Sequence, residues 1–284
     1  MSTQDALTKR QVVSADAVSG WVIAAPAHRT ASQTAERLVS LFSPILLLLF
    51  WEALVRLGFL NANFFPAPTG VVGTLWGLLS SGELFRHVGI SLQRSLIGFV
   101  LGSLPGLVLG LSMGLFPLAR AAIWPMIGAL YPIPKIAILP LVMLIFGLEE
   151  SSKWVIIAIG VFFPMLINSM AGVLAIEKVY HDVGRNFGAN RLTRFLTIAL
   201  PGALPLVLTG VRLAWGVALL LVVAAEFVAA KSGLGYFIWH SWQIFSVEEM
   251  YVGIITISVI GYLSFLLLDE LGRLLVPWKP GGVS

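Results

Sequence analysis

Glu52 and Arg56 stand one helical turn apart, and Arg94, Lys135, Arg212 and Glu226 each interrupt a run of apolar residues long enough to be a membrane span. An ionised side chain in such a run is costly unless it meets a cavity or another charge, so these six are the first candidates for chemistry. The chemistry open to them is narrow. Glu52 and Arg56 have the spacing of an i,i+4 ion pair. Glu226 lies in VVAAEFVAA, where Ala224, Ala225, Ala229 and Ala230 permit close helix approach, which suits packing or gating better than substrate contact. Lys135 lies in YPIPKIAILP, beside backbone broken by prolines. It is the candidate for lining a water-filled cavity, where free amide donors could help hold an anion; the alternative is a lysine that snorkels to the interface. Arg94 and Arg212 read as residues at helix ends that bind headgroups. His87, His181 and His240 are scattered without metal-ligand spacing, and cysteine is absent, which excludes a thiolate nucleophile or thiolate metal site. An integral membrane enzyme would need convergent His, Asp or Ser groups on the spans, and no such cluster is visible.

The elements that position these residues follow from composition. The 284 residues are 58% hydrophobic and 11% charged, with a mean hydropathy of +0.92, whereas a soluble domain carries about 25% charged residues. This is an all-α integral membrane protein. A span needs about 20 mostly apolar residues, and six segments qualify, at about 41–60, 91–113, 120–147, 153–173, 204–229 and 250–272. The third contains Pro132, Pro134 and Pro140, so a bent or two-piece helix is expected there. Between the first two spans, Pro66 and Pro68 precede Val71, Val72, Leu75, Trp76 and Leu79, the pattern of a helix along the outer interface. A seventh crossing is disfavoured there by Ser80, Ser81, Gly82 and Glu83.

With the N-terminus inside, Lys9, Arg10, Arg29, Arg37, Arg120, Lys178, Arg185, Arg191, Arg194, Arg273 and Lys279 fall on the cytoplasmic side, against Arg86, Lys153 and Lys231 outside. This asymmetry places both termini in the cytoplasm and accounts for the net charge of +4 without a nucleic-acid-binding patch. Residues 1–37 read as a mobile cytoplasmic tail rather than a signal peptide, 38–276 as the transmembrane domain and 277–284 as a second cytoplasmic tail.

The cytoplasmic loop 176–203 is the most patterned segment. Ile176, Val179, Tyr180, Val183 and Phe187 fall on one helix face, which is expected to lie against the membrane domain. Gly188 then breaks the helix, Asn190 is a suitable N-cap, and Leu192, Phe195, Leu196 and Ala199 repeat the pattern while Arg191 and Arg194 face away. Pro201 and Pro205 are expected to end this second helix and begin the fifth span. Such a loop suits docking of a soluble partner; equally, it suits a surface helix resting on anionic headgroups.

Gly188 followed after nine residues by Ile198, Ala199, Leu200 and Pro201 resembles the G-x9-I-x-L-P half of the EAA loop of ABC importer permeases. Three residues before the glycine, Asp182, Val183 and Gly184 stand where that motif has E-A-A. From about residue 60 to 275 the chain is similar to the nitrate/sulfonate/taurine branch, through FFPAPTGVV, SGELFRHVGISLQRSLIGF, YPIPKIAILPLVMLIFG, FFPMLINSMAG, LPGALPLVLTGVRLAWG and AAEFVAAKSGLGYFI.

The resemblance implies a six-span, type I ABC importer permease fold in a bacterial inner membrane. It implies a coupling loop, carried here by Asp182, Gly184, Arg185, Phe187, Gly188, Ala189, Arg191, Ile198 and Pro201, seated in a groove of an ATP-hydrolysing subunit. It also implies a second permease copy, an external or lipid-anchored solute-binding protein and a small solute such as an oxyanion or sulfonate. The chain has no G-x-x-x-x-G-K-[ST] phosphate loop, so no cofactor is expected on it, and ATP and magnesium belong to the partner. Lys135, Glu226, Arg94 and Arg212 are the candidates for the translocation path. If Glu52 neutralises Arg56, the remaining basic excess in the spans favours an anionic or zwitterionic solute. The competing class is an ion-gradient-driven transporter, which would be expected to show repeated halves and midplane carboxylates; no repeat is visible and the loop would be unexplained.

Overall fold

The computed structural model describes residues 33–278. The expectations for residues 1–32 and 279–284 lie outside that range. The described residues contain helices and turns and no strand. The chain divides between Trp51 and Glu52. In the first unit the described residues form the leading part of helix α1 (Gln33–Arg56), so helix begins ahead of the expected span; from Phe42 to Phe50 its apolar side chains are exposed.

The second unit starts at Glu52 and is built on three long helices, α3 (Glu83–Leu115), α6 (Glu150–Leu174) and α9 (Leu200–Ala229). Helix α3 lies along α6 because one of its faces is glycine at every fourth position: Gly98, Gly102, Gly106, Gly110 and Gly114. A β-carbon on Gly102 would strike the Ala158 backbone, and one on Gly106 would sit 2.7 Å from the Phe162 carbonyl oxygen. Apolar side chains gain little by meeting each other in lipid, so helices associate through such backbone contact and its dispersion attraction. Helix α6 also meets α9, where Ala214, Ala218, Val222 and Ala225 pack with Ile156, Ile157 and Val161.

The proline-rich third segment is broken as expected. Helix α4 (Pro117–Leu130) stops before Pro132, a single 3-10 turn covers Lys135–Ile138, and α5 (Leu139–Phe146) leaves at 84° to α4. Between the first two expected spans a helix is present, α2 (Pro68–Ser80), which buries Val71 and Leu78 and exposes Val72 and Trp76.

The expected break at Pro201 is absent. Helices α7 (Lys178–Asn186) and α8 (Arg191–Arg194) meet around Gly188, but α8 passes through a π turn at Phe195–Ala199 straight into α9. The wider turn shifts the hydrogen-bond register, so Pro201 falls in the first turn of α9 and its missing N–H does not end the helix. One element was not expected: α10 (Leu234–Gln243), too short to span, burying Leu234, Phe237 and Ile238 ahead of α11 (Val247–Leu275).

Four helices among the described residues are long and apolar enough to cross a membrane, namely α3, α6, the continuous Arg191–Val228 segment and α11; the bent α4–α5 pair would be a fifth. The remaining expected span falls on α1, whose side chains before Phe42 lie outside the described ones.

Candidate functional site

The loop between α6 and α9 owes its shape to Gly188. Its φ of +70° lets the chain reverse after α7: the Gly188 N–H donates to the Arg185 carbonyl at 3.0 Å and the Ala189 N–H to the Gly184 carbonyl at 3.0 Å. This is the Schellman pair that closes a helix on a left-handed glycine. Asn190 then caps α8 as expected, its side-chain oxygen accepting from the Thr193 N–H at 2.8 Å. The two halves of the loop motif touch. A β-carbon on buried Gly184 would lie 2.7 Å from Ile198 Cδ1, so Ile198 occupies the space that an alanine methyl would take.

The apolar face of α7 does not lie against the membrane domain as expected. Val179, Tyr180, Val183 and Leu192 are exposed, and Phe187 is 86% exposed. The reason is geometric: α7 approaches the chain through Gly184, with Ile176 against Gly202, which turns its larger apolar groups outward. Asp182, Arg185 and Arg191 are exposed beside them, Ala189 is half-buried, and a groove lined by Leu115, His181, Arg191 and Arg194 flanks the loop.

A second site is buried where α3, about three turns from its start, and the first turn of α6 meet the last turn of α9. Arg94, 4% exposed, donates through Nη1 to Glu226 at 2.7 Å, and through Nε and Nη2 to the two oxygens of Glu150 at 2.6 Å each. Its Nη1 also reaches the Ser232 carbonyl at 2.6 Å. Glu226, fully buried, accepts from Ser91 Oγ at 2.9 Å and from the Gly235 N–H at 2.8 Å. The Ser91 hydroxyl oxygen accepts from the Leu234 N–H at 2.7 Å, and His87 Nδ1 accepts from the Gly233 N–H at 3.0 Å. The segment after α9 is thereby stitched to α3. Gly233, with φ +107°, permits this because any β-carbon there would collide with the Glu226 carboxylate.

The placement of Arg94 and Arg212 at helix ends facing headgroups is therefore corrected. Arg94 is buried within α3. Arg212 is mid-helix in α9, 2.5 Å from Asp269 of α11 and 5.8 Å from the centre of the Phe265 ring. Within a span a carboxylate partner lowers the cost of a guanidinium that lipid cannot solvate. Glu52 and Arg56 form the expected pair at 2.5 Å, and Glu52 also accepts from the Thr69 backbone N–H and hydroxyl at 3.0 and 2.8 Å. Lys135 donates to the carbonyls of Leu130, Tyr131 and Ile133 at 3.0, 2.9 and 2.8 Å, with its ammonium 4.3 Å from the centre of the Phe163 ring. It caps the end of α4 at the break, beside a groove lined by Pro134, Ile136, Val217 and Leu221.

The expected excess of positive charge in the spans is thus reduced to Lys135: Arg56, Arg94 and Arg212 each have a carboxylate partner, whereas the carbonyls around Lys135 satisfy its protons without cancelling its charge. Glu150 and Asp269 are the partners that reading the sequence missed, because each sits near a helix end beside other charged residues and looks like an ordinary solvated carboxylate. The four-residue period of the five glycines on α3 was also missed, although it is visible in the sequence. No group of His, Asp or Glu that could hold a metal occurs among the described residues.

A bundle of apolar helices with a broken span, and a loop closed by a left-handed glycine that offers its apolar face outward, fits the ABC importer permease class that the loop motif resembles. Residues 106–279 match the family described as binding-protein-dependent transport system inner membrane component, and the chain belongs to that family. It is 33% identical over 237 residues to the taurine transport system permease protein TauC of Escherichia coli K12, covering 82% of this chain and 86% of that one. It is 35% identical over 244 residues to SsuC of the same organism, provisionally named an aliphatic sulfonates transport permease protein, covering 86% and 93%. It is 34% identical over 235 residues to the riboflavin transport system permease protein RibX of Chloroflexus aurantiacus, covering 83% and 88%. An inward facing structure of the MetNI methionine ABC transporter aligns with TM-score 0.59 at 19% identity, covering 68% of this chain and 95% of that one, a likeness of fold.

Proposed function

We propose that this permease imports a small organic sulfonate, taurine or a related oxyanion received from an external solute-binding protein, driven by ATP hydrolysis on separate subunits that seat on the 176–203 loop. The observation that carries the reading is the loop itself, whose Val179, Tyr180, Val183, Leu192 and Phe187 are left uncovered. An apolar face of that size beside charged Asp182, Arg185 and Arg191 is what a soluble partner's groove would cover. The solute class rests on the names of the taurine and sulfonate relatives. ATP and magnesium belong to the partner subunit, and this chain works paired with a second copy of itself. Both termini face the cytoplasm of a bacterial inner membrane, with α1 as the first of six spans. The translocation path runs past the corner held by Lys135 and past Arg94, Glu226 and Arg212.

The test is ATP-dependent uptake of taurine and ethanesulfonate into proteoliposomes holding permease and ATPase subunits, with the cognate binding protein outside. Uptake that needs all three components supports the reading. Solute uptake without ATPase, or ATPase activity that loaded binding protein does not stimulate, would sink it.

A further inference from the structure

Resting on this permease reading, we propose that Arg94 is an exchange site for a small oxyanion, with the Glu150 carboxylate as a displaceable placeholder on the outer edge of its guanidinium. The two carboxylates on Arg94 are held unequally. Glu226 is fully buried and keeps Ser91 and the Gly235 N–H as further partners. Glu150 is 46% exposed, and beyond Arg94 its carboxylate has Lys153 alone within ion-pair distance, at 3.6 Å. The edge that Glu150 occupies presents Nε and Nη2 side by side, a fork that a sulfonate, phosphate or carboxylate group matches as well as a glutamate does.

A groove of about 230 Å³ opens onto this edge, lined by Ile90, Gln93, Arg94, Glu150, Trp154 and Ser232. Trp154 lines the same groove, so its indole can report on what fills it. The displaced carboxylate also has somewhere to go. Lys153, one turn along α6 and buried, is anchored on the Leu148 and Glu149 carbonyls at 3.2 and 3.1 Å, so Glu150 can pass from Arg94 to Lys153 without being left unpaired. Arg94, Lys153, Glu150 and Glu226 sum to zero charge, so an arriving anion leaves a net negative cluster. Binding is therefore weak and reversible, as a station on a path requires.

Sulfonate solutes and lipid phosphates share the oxyanion chemistry, and the experiment separates them. The permease–ATPase complex is placed in phosphatidylcholine nanodiscs and titrated with ethanesulfonate, reading tryptophan fluorescence against a Trp154→Phe control. Glu150→Gln keeps the side chain's shape and removes the competing charge, so it should bind about tenfold more tightly than wild type, while Arg94→Gln abolishes the response. Saturation by ethanesulfonate in phosphatidylcholine marks a soluble solute as occupant; the same Glu150-dependent signal produced by phosphatidylglycerol without ethanesulfonate marks a lipid phosphate. A Glu150→Gln complex that titrates like wild type, or no Trp154-dependent signal with either anion, overturns the site. Wild-type uptake is measured in parallel: normal uptake with no Glu150 effect rejects the exchange and leaves the permease reading standing, whereas Glu150-dependent binding without ATP-driven uptake rejects the permease reading.

Discussion

Arg94 shows how one residue is fixed by its partners. Replacing it with alanine leaves the Glu226 carboxylate buried with only Ser91 and one backbone N–H, and removing one member of a buried pair costs about 3–5 kcal/mol. Arg94→Ala should therefore lower the unfolding temperature of the reconstituted permease sharply, while Glu150→Gln, whose carboxylate is half exposed, should lower it little. Equal losses for the two would show that the cluster does not distinguish a buried from a displaceable carboxylate. Lys135 is held differently, with all three ammonium protons on carbonyl oxygens. Lys135→Met leaves those carbonyls open at the corner of the third span, so solute uptake should fall several-fold with the complex still assembled and still docking its binding protein. Uptake at the wild-type rate would mean that the prolines alone keep that corner in shape.

At the scale of elements, the α3–α6 contact rests on backbone proximity. Gly102→Val would drive a branched side chain into the Ala158 backbone and should abolish recovery of folded protein. Gly89→Ala, on the same helix with nothing within 4 Å, should be neutral or stabilise by up to about 1 kcal/mol. Equal recovery of both variants would contradict the glycine ladder. The 176–203 loop makes a second claim. Gly188→Val places a β-branched residue at φ +70°, a conformation costing roughly 1–2 kcal/mol for a side chain of that kind, and Phe187→Asp puts a charge at the most exposed apolar position of the loop. Both variants should insert in the membrane and lose ATPase-subunit retention on purification, or lose stimulation of hydrolysis by loaded binding protein. Retained stimulation in both would move the attachment site elsewhere.

For the whole molecule, the predicted orientation puts Ser284 in the cytoplasm, so a reporter active only outside it and fused there should be silent, while one inserted at Ser81, between α2 and α3, should be active. The opposite pattern would invert the topology and move the 176–203 loop to the wrong side for an ATP-driven partner.

Local chemistry wrote much of this into the sequence. Apolar run length announced the membrane helices, the prolines of YPIPKIAILP announced the broken span, and Gly188 with Asn190 announced the reversal of the loop, because each depends on residues within a few positions of one another. The Glu52–Arg56 pair was legible for the same reason. Other features were settled by tertiary structure: that Glu150 and Asp269 neutralise Arg94 and Arg212, that Ile198 fills the space over Gly184, and that α7 turns its apolar face outward. Arg94 lies 56 residues from Glu150 and 132 from Glu226 in the chain. No spacing rule connects such groups; they meet because the glycine face of α3 lets α6 come close, and α6 in turn holds α9. The charge balance of the spans, and with it the proposed anion site, belongs to that three-helix contact and not to any one stretch of sequence.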